Sequence, residues 1–284
     1  MATVKKIIHL SDLHIGFEDL EQRFIWLVDM LGVLKSEKER YVVVVTGDIT
    51  DAATKGFYSK AAECINYLRQ FCHKVLIAPG NHDYAVGIWH EKKKVKEFKD
   101  TFLEGYLGTY PKVDIIGEEG EDKIAFIALD SLEGELKGLQ SLGADGEIGK
   151  PQLKRLAEIL ESARVRDCVY RVIYLHHHPL YYAHELHGWI HDLKDIKKLQ
   201  DVILGYQLKY VEKPISAILF GHEHSRKTYP GIWNGAAPLC ISRAYDGGTS
   251  TRKGNIPCIH RVIDFSREAR LDYDGDFLRG CPVP

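Results

Sequence analysis

Apolar positions along the chain fall into two alternating textures. Short continuous runs, several of them β-branched, are separated by segments whose apolar residues recur at helical spacing. "KKIIHL" predicts a strand, and Phe24, Leu27, Leu31 and Leu34 predict a helix from Leu20 to about Lys35. The run "YVVVVT" (Tyr41 to Thr46) predicts a strand covered on both faces, because it stays apolar along almost its whole length. Phe57, Ala61, Ile65 and Leu68 then mark a helix, "KVLIAP" a strand, and the lysine-rich segment from Glu91 to Leu103 another helix. "KIAFIALD", "VYRVIYL" and "ISAILF" predict three more strands. Between them lie a helix carrying Leu153, Leu156 and Leu160 behind Pro151, and one carrying Leu193, Ile196, Leu199 and Ile203. Beyond Gly221 the texture changes to short strands joined by turns, with Asn234-Gly235 as a turn signal. Successive βα units followed by a β-rich portion from about residue 225 predict an α/β layered domain whose sheet ends in antiparallel strands. No linker or repeat divides residues 1–284, so a single domain is expected.

Composition narrows the class. The 284 residues are 45% hydrophobic and 27% charged, values of an ordinary globular protein. A formal net charge of −2 leaves no basic field to draw nucleic acid as a partner. The six cysteines form no CxxC pair, so neither a zinc ribbon nor a thioredoxin-like motif is indicated. No apolar stretch approaches the roughly 20 residues of a membrane span, and the N-terminal apolar run is too short for a signal-peptide core. A cytoplasmic protein with reduced thiols and no membrane partner is the expectation. The β-rich tail can pair with another chain, which leaves a homo-oligomer open.

Candidate chemistry lies where the strands end. Asp12 and His14 follow the first, Gly47-Asp48-Ile49-Thr50-Asp51 the second, and Gly80-Asn81-His82-Asp83 the third. His176, His177 and His178 precede Pro179, and Gly221-His222-Glu223-His224 follows the last predicted strand. In open α/β sheets, ligands bind beyond the carboxyl ends of strands, so five polar clusters can converge on one site. Aspartate and imidazole, completed by an asparagine oxygen, are donors for zinc, manganese or iron. They exceed the needs of one metal, and two metals sharing a bridging carboxylate fit better.

This ordered series resembles the calcineurin-like metallophosphoesterases, with every motif intact from Asp12 to His224. "IALDSLEG" and "GEIGKPQLKRLAEIL", which contains Glu147, are similar to the branch containing class III cyclic nucleotide phosphodiesterases. The resemblance implies an α/β fold with mixed sheets, a four-layered αββα sandwich. It implies a phosphoesterase acting on small phosphodiesters or phosphomonoesters, cyclic nucleotides included, by attack of a hydroxide bridging two metals. By that analogy Asp12, His14, Asp48 and His224 hold the first metal. Asp48, Asn81, His222 and one histidine of the triplet hold the second, and the spacing to Pro179 selects His177. His82 is the catalytic group at the leaving oxygen, oriented by Asp51; the plainer reading of Asp51 is a helix N-cap. Asn81, His82 and, from the aromatic-rich segment 181–191, His187 are the substrate-side candidates. Ile49 and Thr50 stand where the purple acid phosphatase branch carries a tyrosine, so manganese, zinc or ferrous iron is expected rather than ferric iron.

Other features read as structural. His9 is expected to be a satisfied core histidine, "HEKKKVKEFK" a solvated helix face, Asp83 a structural carboxylate, and Glu223 a side chain turned from its neighbours. Two other functions share the resemblance. "IIHLSDLHIG" also resembles the opening of double-strand-break repair nucleases, and some relatives of this fold serve as non-enzymatic scaffolds.

Overall fold

The computed structural model describes residues 6–18, 20–32, 41–86, 89–120, 122–137, 145–179, 193–222, 224, 261–264 and 273–274. In chain order its first half contains β1 (Lys6–Leu10), α1 (Leu20–Gly32), β2 (Tyr41–Thr46), α2 (Lys55–Leu68), β3 (Lys74–Ala78), α3 (Asn81–Tyr84), β4 (Ala85–Val86), β5 (Trp89–His90), α4 (Lys92–Phe102) and β6 (Lys112–Ile116). There follow β7 (Ile124–Ala128), α5 (Lys150–Glu161), α6 (Ala163–Arg166), β8 (Tyr170–Tyr174), α7 (Ile196–Lys209), β9 (Ala217–Leu219), β10 (Arg261–Asp264) and β11 (Tyr273–Asp274).

Two mixed sheets carry the fold. One has the order β11-β10-β1-β2-β3, with β1, β2 and β3 parallel and β10 antiparallel to β1. The other has the order β6-β7-β8-β9, parallel except for the β6–β7 pair. Strand alternation sorts the apolar residues into three cores. Val42, Val44 and Leu76 of the first sheet meet Phe126, Val172 and Leu219 of the second in a buried inter-sheet layer. Val43, Val45 and Ile77 face the other way, onto Phe24, Tyr58, Ile65 and Phe98 of the helices covering the first sheet. Ile127, Ile173 and Ile218 likewise face Leu153, Leu156, Leu199 and Ile203 of α5 and α7. The result is the expected four-layered αββα sandwich. It explains why "YVVVVT" has no polar face: both of its sides are core.

Several expectations are met closely. α4 exposes Lys93 and Lys96, at 71% and 78%, as a solvated face should, although Lys94 folds inward toward the Tyr58 ring. His9 is fully buried, with Nε2 2.9 Å from Thr46 Oγ1. β6 was not anticipated; its sequence KVDII is half polar and it lies at a sheet edge. Cys64, Cys72 and Cys168 are free and buried. Among the described residues, no helix is long and apolar enough to cross a membrane.

Candidate metal centre

The site begins as backbone. Beyond their last residues β1 and β2 remain paired: Asp12 N–H donates to Gly47 O (3.0 Å) and His14 N–H to Asp48 O (2.9 Å). Asp12, His14, Asp48, His222 and His224 all have left-handed φ, between +43° and +76°. Such backbone costs on the order of 1–3 kcal/mol per residue and persists where the surroundings fix it, typically at functional sites. Gly80 has its own reason. A Cβ there would lie 2.2 Å from Asp48 Oδ1, so the β3 loop could not approach the carboxylate with any side chain. That approach lets His82 N–H donate to Asp48 Oδ1 at 2.9 Å.

Around this frame the donor atoms form two neighbouring sets, linked by a third group, His14, Asp48 and His82, whose ligand-type atoms also lie within 4.8 Å of one another. Asp12, His14 and His224 each place a ligand-type atom within 4.8 Å of the others, and so do Asp48, His176 and His222. In the first set His14 Nε2 is 3.3 Å from His224 Nε2, and His224 Nε2 is 3.6 Å from Asp12 Oδ1. In the second, His176 Nε2 lies 3.0 Å from Asn81 Oδ1, 3.1 Å from His222 Nδ1 and 3.3 Å from Asp48 Oδ2. Asp48 Oδ2 is also 3.9 Å from His14 Nε2, so this carboxylate stands between the sets. The His222 N–H donates to both oxygens of Asp12, tying the loop after β9 to the one after β1.

These donors fit metal ions. His176 Nδ1–H donates to the Thr46 carbonyl at 2.8 Å, which leaves a neutral ring with a lone pair at Nε2. That lone pair faces two oxygen acceptors, an arrangement only a cation or an added proton relieves. In the metal-free chain the proton does so. Burial alone would lower the His176 pKa, but the nearby Asp48 and Asp12 carboxylates raise it to about 9. Burial likewise works against the Asp48 carboxylate, but His176, His82 and His14 hold it well below the usual range. His14 is raised against the pull of burial by Asp51, Asp48 and Asp12. His224, more weakly compensated, is lowered by burial.

The structure brings Asp12, His14, Asp48, Asn81, His82, His222 and His224 together, corrects one other assignment and refines another. His177, selected by its spacing to Pro179, does not join the second set. Its Nδ1 is 2.7 Å from Ser131 Oγ, and His176 takes its place. The reason is strand alternation. Tyr174 faces the inter-sheet layer and Leu175 the outer helices, so His176 points back between the sheets and His177 away. Counting from β8 rather than from Pro179 would have found it. His178 packs edge-on against Phe220, with centroids 4.8 Å apart.

The refinement concerns Asp51, which meets His82 through its backbone and not its carboxylate. Its Oδ1 lies 3.3 Å from His14 Nδ1, while its backbone carbonyl is 2.6 Å from His82 Nδ1. It is not a helix cap either: Thr54 Oγ1 accepts the N–H of Phe57 at the start of α2. Asp83 is structural, accepting the N–H groups of Gly80 and Thr50 and the Thr50 hydroxyl. Sequence reasoning missed Ser131, which holds His177 from the loop after β7. His187 and Glu223 lie outside the described residues.

The model of the calcineurin-like phosphoesterase family matches residues 5–226. The chain belongs to that family and is a metal-dependent phosphoric ester hydrolase. Solved structures share the fold. PhoD aligns with a TM-score of 0.56 and 12% identity over 88% of this chain and 57% of its own. GAP50, the anchor in the inner membrane complex of Plasmodium, aligns with a TM-score of 0.55 and 11% identity over 96% and 88%. The NAD nucleotidase NadN of Haemophilus influenzae aligns with a TM-score of 0.50 and 16% identity over 95% and 54%. The chain thus spans little more than half the length of PhoD and NadN. A comparison with curated proteins returned no match.

Proposed function

We propose that the chain is a dinuclear phosphoesterase hydrolysing small phosphodiesters or phosphomonoesters, cyclic nucleotides among them. The observation that supports this most is Asp48, whose Oδ2 stands 3.3 Å from His176 Nε2 of one donor set and 3.9 Å from His14 Nε2 of the other. Asp12, His14, Asp48 and His224 would hold one ion; Asp48, Asn81, His176 and His222 would hold the second. The donor types suit manganese, zinc or ferrous iron. Only Asp12 and Asp48 offset two divalent charges in this assignment, so the loaded site stays positive toward a phosphate. When bound, the metals supply an activated water and neutralise charge on the phosphoryl oxygens.

The chain's own residues complete the chemistry. His82 stands edge-on to His14, with centroids 4.7 Å apart, at the start of α3 beside Asn81. With Nδ1–H committed to the Asp51 carbonyl, a protonated His82 has its second N–H, at Nε2, to give to the leaving oxygen. The neutral ring left behind keeps the carbonyl hydrogen bond. Asn81 and His82 therefore serve the substrate side, and His187 is retained there from the sequence.

Metal analysis combined with hydrolysis of bis-p-nitrophenyl phosphate tests this reading. Two metals per chain and turnover with manganese, zinc or ferrous iron are expected. Asp48→Asn should bind neither ion and lose activity. No hydrolysis with any of the three metals would sink the proposal, and faster cleavage of single-stranded DNA than of small esters would make the chain a nuclease instead.

A further inference from the structure

His177 is fully buried, and one hydroxyl meets it twice: Ser131 Oγ lies 2.7 Å from its Nδ1 and 3.4 Å from its backbone nitrogen. A serine hydroxyl has a single proton. Its oxygen has two lone pairs, so it can accept from the backbone N–H and still hold Nδ1, and the ring is fixed at that nitrogen. The His177 ring lies against His222 at 4.5 Å between centroids, while His176 contacts His222 at 5.0 Å, so His222 meets both neighbours. Gly146 leaves the room behind it: a Cβ there would be 2.6 Å from His177 Cγ. The Gly146 loop is itself fixed, by Glu147 N–H to Ser131 O (2.7 Å) and Lys194 N–H to Gly146 O (2.8 Å).

We propose that His177 is a positioning residue, locked by Ser131 and Gly146, that sets the plane of the His222 ring for metal binding. The strand end after β7, which supplies no ligand, thereby reaches the centre through one intermediate side chain. The inference rests on the two-metal reading above, because His222 must be a ligand for its plane to matter.

Manganese titration by calorimetry tests it, with unfolding of the metal-free protein as the control. Wild type should show two binding steps, one of which disappears in His176→Gln. Ser131→Ala and Gly146→Ala should weaken that same step by about tenfold or more, the usual effect of losing a ligand's support. The other step should not change. Ser131→Thr, which keeps the hydroxyl, should restore affinity, and metal-free Ser131→Ala should unfold at the wild-type temperature. Two wild-type steps that Ser131→Ala leaves untouched would overturn the inference alone. Loss of a whole step in His177→Gln would make His177 a ligand and overturn it too. Fewer than two steps in the wild-type protein would remove the two-metal reading and this inference with it, a failure visible before any substitution.

Discussion

His176 keeps its proton and its proposed ligand function on different nitrogens, and the consequence is a pH dependence with a definite sign. Its pKa is raised from 6.5 to about 9 in the metal-free chain. The group therefore contributes stability that is fully present below about 6.5 and is lost as the pH rises through about 9. A metal must displace the same proton, so apparent affinity should rise with pH across that interval, at most about tenfold per unit for one proton. Calorimetry at pH 7 in buffers of different ionisation enthalpy should register proton release on metal binding; none would refute the assignment. Asp51 offers a second test at this scale. Because its carboxylate meets His14 and only its carbonyl meets His82, Asp51→Asn should lower metal affinity about tenfold. The pH–rate profile of the fully loaded enzyme should be unmoved. The opposite pattern, a changed profile at unchanged affinity, would return Asp51 to His82.

At the scale of elements, each side of the second sheet's strands has its own fixing device. At the site end, β8 runs into His176 and β9 into His222, and Gly221 N–H donates to His176 O at 2.9 Å. At the far end, the buried Arg171 guanidinium donates to the carbonyls of Arg166, Cys168, Val169 and Pro214. One side chain thus ties the turn entering β8 to the segment entering β9. Arg171→Met leaves those four carbonyls unserved; three of the four bonds are only part-buried, so at the low end of about 1–3 kcal/mol per orphan stability should fall by about 4 kcal/mol in urea unfolding. Activity per folded molecule should hold, because the clamp sits at the other end of the strands from the metals; a large loss of kcat would show otherwise. The legibility of these elements follows from the same physics. Strands with two buried faces, such as β2 and β7, announce themselves as apolar runs, and α5 and α7 by their leucine and isoleucine stripes. β6 is silent because its Asp114 pairs with Lys112 and with Lys74 rather than packing into a core. The ligand motifs were legible because strand ends gather polar residues. The choice of His176 was not made because spacing to a proline says nothing about which face a residue takes, and the route from Asp51 to His82 was not legible because a sequence does not distinguish a carboxylate contact from a carbonyl contact.

For the whole molecule, the division of the proposed ligands between the sheets matters most. Asp12, His14, Asp48 and Asn81 follow β1, β2 and β3, whereas His176, His222 and His224 follow β8 and β9. Each proposed ion would therefore take donors from both sheets: His224 opposite Asp12 and His14, and His176 with His222 opposite Asp48 and Asn81. Apart from these ions, the sheets are joined face to face by the apolar layer of Val42, Val44, Phe126, Val172 and their neighbours. Metal binding and sheet docking are thus linked, since a ligand set split across the layer exists only when the layer is closed. An ion at 1,000 times its Kd adds about 4 kcal/mol to the folded state. At about 2–4 °C per kcal/mol for a chain of this size, losing one such ion should lower the Tm by on the order of 10 °C, and chelating both by about twice that. Asp48→Asn, having lost the donor common to both sets, should unfold near the temperature of the chelated wild type and ignore the chelator. If it kept the full chelator-induced shift, the ions would be bound elsewhere and the inter-sheet assignment would be wrong.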